Sequence, residues 1–195
     1  MKLLVIGVGG TGSFLIEELC KSIDQGQIDP NIEISIADND SVEIEQIKYQ
    51  NFVCDEVGLN KAQALAERFK PFGIAAINKR IKTASQLKGY DFVILCVDND
   101  TTRELVINYA FSRNIDFLDL RADGRRISAF PKMPTREENL KLIDAGDTTC
   151  YSCQDPASLR VGRIDKGNRI VAIIGVQMLL NHLRGLNNKI INLNI

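Results

Sequence analysis

Six residues near the start of the chain, Gly7-Val8-Gly9-Gly10-Thr11-Gly12, have the composition of a loop that wraps phosphate. Glycines let the backbone turn tightly and approach a ligand closely. A helix opening directly after them offers unpaired N–H groups and a partial positive charge. Such a loop needs an apolar strand before it and a helix after it. Residues 3–6 supply the first, and residues 11–23, with Phe14, Leu15, Ile16 and Leu19 at helical spacing, supply the second. Asp38 ends the next apolar run, residues 32–37, where a carboxylate can accept hydrogen bonds from ribose hydroxyls. These residues define a nucleotide site without choosing the nucleotide, because an NAD(P)-dependent oxidoreductase uses the same loop. The acid in such enzymes lies about 20 residues past the loop. Asp38 lies further on, since residues 24–31 lengthen the first connection.

The elements that must position these groups alternate along the chain. Residues 60–69 are rich in helix formers and stop before Pro71, and residues 74–77 read as a short strand. Residues 92–97 (Phe-Val-Ile-Leu-Cys-Val) form a buried strand, followed by a helix over 101–113 and a strand over 115–118. Strands alternating with helices imply right-handed βαβ units. The expected fold is therefore α/β and Rossmann-like, a mostly parallel twisted sheet with helices on both faces. Residues 126–130 suit one more strand, and the polar stretch 131–149 reads as a crossover loop. A strongly apolar helix follows over 170–183, apolar around more of its circumference than one face needs. Residues 190–193 suit a final strand. No linker or repeat divides the sequence, so residues 1–195 are expected to form one domain.

Composition narrows the function. Lys and Arg total 24 against 25 Asp and Glu, which leaves no basic field for nucleic acid or an anionic membrane. No segment approaches the roughly 20 apolar residues of a membrane span. The five cysteines form no disulfide framework, and the expected compartment is a reducing cytoplasm.

The sequence resembles the ThiF/MoeB-like adenylyltransferases of the ubiquitin-activating-enzyme superfamily along nearly its whole length. The matching pieces, in order, are the glycine loop, Asp38-Asn39-Asp40-Ser41-Val42-Glu43, Gln50, and Val57-Gly58-Leu59-Asn60-Lys61-Ala62. Cys96-Val97-Asp98-Asn99 with Arg103, Thr149-Cys150-Tyr151-Ser152-Cys153 with Pro156, and Gly167-Asn168-Arg169-Ile170-Val171-Ala172 complete the series. The resemblance implies ATP-dependent adenylation of a carboxylate, often the C-terminus of a ubiquitin-like or sulfur-carrier protein or a peptide. It implies that Gly7, Gly9, Gly10 and Gly12 pack against ATP, that Asp38 holds the ribose, and that Asp40 belongs to the same site. Lys61 would neutralise developing phosphate charge and Asp98 would bind Mg²⁺; a homodimer is implied as well. The same residues have structural alternatives. Lys61 suits an ordinary solvated helix start, Asp98 or Asp100 suits a helix N-cap, Asp40 suits a turn, and Cys96 suits a buried strand. Cys20 and Cys54 have no supporting partner, and His182 suits packing or surface.

Two departures from the family pattern stand out. The family's Arg-Gln pair reads Tyr49-Gln50, and its preceding Asn reads Gln46. Tyr49 removes a phosphate-binding cation, for which Lys48 or Arg103 could substitute. Cys150 and Cys153 match half of a four-cysteine Zn²⁺ site, but no second C-x-x-C follows, so the intrachain site is incomplete. A site shared between subunits, a redox pair, a thioester with a carrier or a vestigial motif remain alternatives. A non-catalytic partner that binds an active subunit or a carrier is the alternative Tyr49 motivates.

Overall fold

The computed structural model describes residues 1–144, 154 and 156–195. Its strands are β1 (Lys2–Ile6), β2 (Glu33–Ala37), β3 (Ala75–Ile77), β4 (Phe92–Leu95), β5 (Asp116–Asp123), β6 (Arg126–Pro131) and β7 (Ile191–Asn194). Its helices are α1 (Gly10–Asp24), α2 (Lys61–Arg68), α3 (Asp100–Arg113), α4 (Arg136–Asp144), α5 (Pro156–Arg160) and α6 (Gly167–Leu183). The strands make one sheet in the order β3-β2-β1-β4-β5-β6-β7. The pairings from β3 through β5 are parallel, and β6 and β7 join antiparallel.

Side chains alternate across a strand, so one buried strand feeds two cores. Leu3 and Val5 of β1 pack with Leu15 and Leu19 of α1, Leu65 of α2 and Leu179 of α6. Leu4 and Ile6 face the other way, towards Val106 and Ile107 of α3 and Ile143 of α4. This is the expected mostly parallel sheet with helices on both faces. β1 pairs with β2 on one side and β4 on the other, with Ile6 opposite both Ala37 and Leu95. The chain therefore reverses its direction of travel across the sheet at β1, and a crevice opens beyond the carboxyl ends of β1, β2 and β4.

Several elements differ from expectation, three of them near the site. The segment expected as a loop contains α4, started by a capping box. Thr135 Oγ1 accepts from Glu138 N at 3.2 Å, and Glu138 Oε2 accepts from Thr135 N at 3.0 Å. β5 runs on to Asp123 instead of stopping near Leu118, and turns at Gly124 (φ +56°) into β6. α6 starts three residues early, at Gly167, where a Cβ would stand 2.0 Å from the Gly124 carbonyl. Its wide apolar surface is covered by α1 on one side and the β5–β6 hairpin on another, while Ile173 stays 50% exposed.

Candidate functional site

The glycine loop joins β1 to α1 at the middle of the crevice. Gly7 has φ +84°, and a Cβ there would lie 2.7 Å from the Cys96 carbonyl, so the loop needs a glycine for both conformation and space. A Cβ on Gly12 would lie 2.0 Å from the Gly7 carbonyl, which makes Gly12 the point where α1 closes onto the loop. Gly9 differs. Its Cβ position is open apart from Gln50, whose Nε2 would be 3.7 Å away. α1 begins with no side-chain cap and no acid in its first turn, so its N-terminal N–H groups face the crevice.

The end of β2 is tied to this loop through Asp38. Its Oδ2 accepts from Val8 N at 2.8 Å and its Oδ1 from Asp40 N at 2.9 Å. Burial pushes the Asp38 carboxyl above its ordinary value of 3.8, against the pull of those two N–H bonds and of Lys61. Asn60 assembles the neighbourhood. Its Nδ2 donates to the carbonyls of Asp38 and Asp40 and to Asn78 Oδ1, each at 3.0 Å, while its Oδ1 caps α2 by accepting from Gln63 N. The next residue, Lys61, is 4% exposed, and its Nζ lies 3.9 Å from Asp40 Oδ2. A cation in the first turn of a helix is on the unfavourable end of the dipole. Lys61 is therefore no ordinary solvated lysine.

At the end of β4 the capping question resolves in favour of Asn99, whose Oδ1 accepts from Thr102 N at 3.0 Å. Asp98 is exposed and lines the crevice. Arg103 is engaged by the protein itself. It is 1% exposed, its Nε donates to Asp119 Oδ1 at 3.2 Å, its Nη1 to Asp100 Oδ1 at 3.0 Å, and its Nη2 to the Val97 carbonyl. Arg121 holds the other oxygen of Asp119 at 2.6 Å. Arg103 is thus a structural cation that braces β4 against β5.

The crevice has a volume of about 420 Å³, within the ~300–1,000 Å³ common for small-molecule sites. It brings together Gly7, Gly9, Gly10, Asp38, Asp40, Lys61 and Asp98. β2 and β4 flank β1, so their ends are two strand spacings apart, about 10 Å, which is within reach of one nucleotide. Gly12, Lys48 and Arg103 do not line it; Lys48 is exposed on the flank beside Tyr49, which does. Two cations that line the cleft were not anticipated, Lys79 and Arg80, just past the carboxyl end of β3. The rule that ligands gather at strand carboxyl ends is the signal that points to them. Among the described residues no three His, Cys, Asp or Glu side chains form a metal cluster. Mg²⁺, however, is commonly held by one or two carboxylates together with substrate phosphates, which a single Asp98 fits. Cys150 and Cys153 lie outside the described residues. Cys20 and Cys54 are free thiols, and burial pushes the Cys20 thiol up to about 12. His182 packs with its ring tilted against Phe92, centroids 4.6 Å apart, and its Nδ1 lies 3.6 Å from Asp116 Oδ2, away from the cleft residues.

A glycine loop at the switch point of a mostly parallel sheet defines a Rossmann-like protein of the nucleotide-binding type. Within that class the chain belongs to the ThiF family, whose model matches residues 1–192. It is 24% identical over 171 residues to the ubiquitin-like modifier-activating enzyme 5 of Drosophila ananassae, covering 78% of this chain and 39% of that protein. The Drosophila simulans counterpart is 23% identical over 171 residues, with 78% and 38% covered. The chain therefore spans well under half the length of these curated relatives. Escherichia coli MccB crystallised with MccA superposes with a TM-score of 0.70 at 17% identity, covering 99% of this chain and 63% of that one. E. coli tRNA N6-threonylcarbamoyladenosine dehydratase TcdA in complex with ATP gives 0.68 at 18% identity, covering 94% and 86%. At these identities the likeness to the solved structures is one of fold.

Proposed function

We propose that the chain adenylates a carboxylate with ATP, the substrate being the carboxyl terminus of a ubiquitin-like carrier protein or a peptide. The observation that carries this reading is the convergence of Asp38, Lys61, Asp98 and the uncapped start of α1 on one cleft. In the reaction a carboxylate oxygen attacks the α-phosphorus of ATP. The bond from that phosphorus to the bridging oxygen breaks, and pyrophosphate leaves with the electron pair. Charge then grows on the leaving pyrophosphate, so the protein's task is positioning and charge stabilisation.

Each Asp38 oxygen accepts one backbone N–H and retains a lone pair for a ribose hydroxyl. Lys61, buried and only loosely paired with Asp40, supplies positive charge to the polyphosphate. Lys79 and Arg80 take the place of the cation lost at Tyr49, a role Arg103 is not placed to fill. Asp98 would hold Mg²⁺, which when bound would neutralise phosphate charge. The names of the Drosophila relatives, and MccB crystallised with MccA, support a protein or peptide carboxyl terminus as substrate. A homodimer in the cytoplasm completes the proposal.

ATP–pyrophosphate exchange with a panel of carriers and peptides tests the reading. Carrier-dependent exchange supports it. Carrier binding with no exchange would favour a non-catalytic partner, the outcome Tyr49 motivates. Tighter binding of NAD than of ATP with Mg²⁺ would overturn both.

A further inference from the structure

A second cavity, of about 30 Å³, adjoins the cleft. The two share Cys96, Val97 and Asp98 as a common wall, and the rest of the smaller one is formed by Thr11, Arg103, Leu120, Arg121, Ala122 and Asn168. A volume of that size has room for one or two water-sized groups. It suits the end of a chain, such as a carboxylate oxygen.

Asn168 is the unusual residue here. It is 1% exposed, in the first turn of α6, and its Oδ1 accepts from Thr11 Oγ1 at 3.2 Å. With Thr11 Oγ1 donating to Oδ1, Nδ2 is the free end, and it has no hydrogen-bond partner among the described residues. A buried donor without an acceptor is costly, and native cores rarely retain one without a use. The start of α6 adds to the field, since it has neither a side-chain cap nor an acid in its first turn. Its close seating on the β5–β6 turn, which only glycine at position 167 permits, holds Asn168 against the cavity.

We propose that Asn168 binds the reacting carboxylate of the acyl substrate, Nδ2 donating to one carboxylate oxygen in the small cavity beside the Asp98 wall. This rests on the cleft being the ATP site, because the shared wall sets the two substrates side by side.

The test uses glycylglycine as a minimal carboxylate and glycylglycinamide as its uncharged match, followed by ¹H–¹⁵N spectra of the full chain. Asn168→Asp retains the shape and the Thr11 bond but removes the donor, and its spectrum identifies the Asn168 side-chain amide by loss of that signal. In the wild type the acid should shift this amide and the neutral match should leave it in place. Asn168→Asp should bind the acid about tenfold more weakly or worse while binding ATP as the wild type does. Equal shifts with both probes, no shift with the acid, or undiminished acid binding by the variant would each overturn the proposal. The wild-type comparison stands even if the variant fails to fold. ATP binding is read separately from the Gly9 and Gly10 backbone signals. A chain that binds ATP but shows no Asn168 response refutes this proposal alone, whereas an Asn168 response without ATP binding refutes adenylation and leaves the carboxylate site standing.

Discussion

Helices α2 and α3 reach the cleft on opposite faces of the sheet, and each opens on an asparagine cap with a buried cation close behind. Arg103 of α3 donates to Asp119, Asp100 and a carbonyl, one bond from each of its nitrogens, so its charge goes to holding β4 and β5 together. Lys61 of α2 is almost as deeply buried, yet its ion-pair partner, Asp40, is 65% exposed and 3.9 Å away. Burial alone therefore does not separate a structural cation from the one proposed to meet a ligand; the state of its partners does. A loosely paired cation in a cleft adds little to the folded state and much to an incoming anion.

The largest effect that would break this contrast concerns Arg103. Arg103→Ala strands Asp119, which is 3% exposed, with Arg121 as its remaining cation, and should cost about 3–5 kcal/mol of stability in urea unfolding. An Arg103→Ala protein as stable as the wild type would mean that the buried cluster is dispensable. For Lys61 the expectation reverses. Lys61→Met should leave stability within about 1 kcal/mol while lowering ATP–pyrophosphate exchange roughly a hundredfold or more. Unfolding in place of lost exchange would put Lys61 in the same structural class as Arg103. A smaller effect sharpens the account of the missing family arginine. The double change Lys79→Ala with Arg80→Ala should weaken ATP binding by about tenfold, near 1.4 kcal/mol, and make it less sensitive to salt. Lys48→Ala, outside the cleft, should change neither, as calorimetry at two salt concentrations would reveal.

The smallest expected effect belongs to Asp38. Its folded-state value is raised above the unfolded 3.8, so in the window just above 3.8 the folded protein holds more protons than the unfolded one. Stability then falls as pH rises through that window and levels off above it. Asp38→Asn removes the titration. The stability difference between wild type and variant should decline with rising pH there and be flat beyond, measured by urea unfolding at closely spaced pH. A difference that grows with pH would mean that the N–H bonds to Asp38, and not its burial, dominate.

What the sequence revealed, and what it concealed, follows from the range of the forces involved. β1 and β4 are legible because strands buried on both faces are nearly continuous apolar runs. Only the start of β5 is, because Asp119 and Arg121 interrupt the pattern beyond Leu118, and only the tertiary ion cluster makes them tolerable in a strand. Arg103 looks like a spare cation in sequence for the same reason, since its partner Asp119 lies sixteen residues away on another element. The start of α4 was written locally, in Thr135 and Glu138, but the polar stretch around it masked the signal. Lys79 and Arg80 follow a strand of only three residues, too short for periodicity to mark what its end would present.

Gly12 and Gly9 differ in what would keep each of them fixed over evolutionary time. A side chain at Gly12 would run into the Gly7 carbonyl, so the fold itself forbids replacement whether or not a nucleotide ever binds. At Gly9 the nearest atoms would be at ordinary contact distance, so only a ligand's need for close approach opposes drift. A descendant released from nucleotide binding would retain Gly7 and Gly12 and let Gly9 go, leaving a glycine motif that still looks like a phosphate loop. Among relatives of this chain, the residue at position 9 is therefore a better witness to surviving chemistry than the motif as a whole.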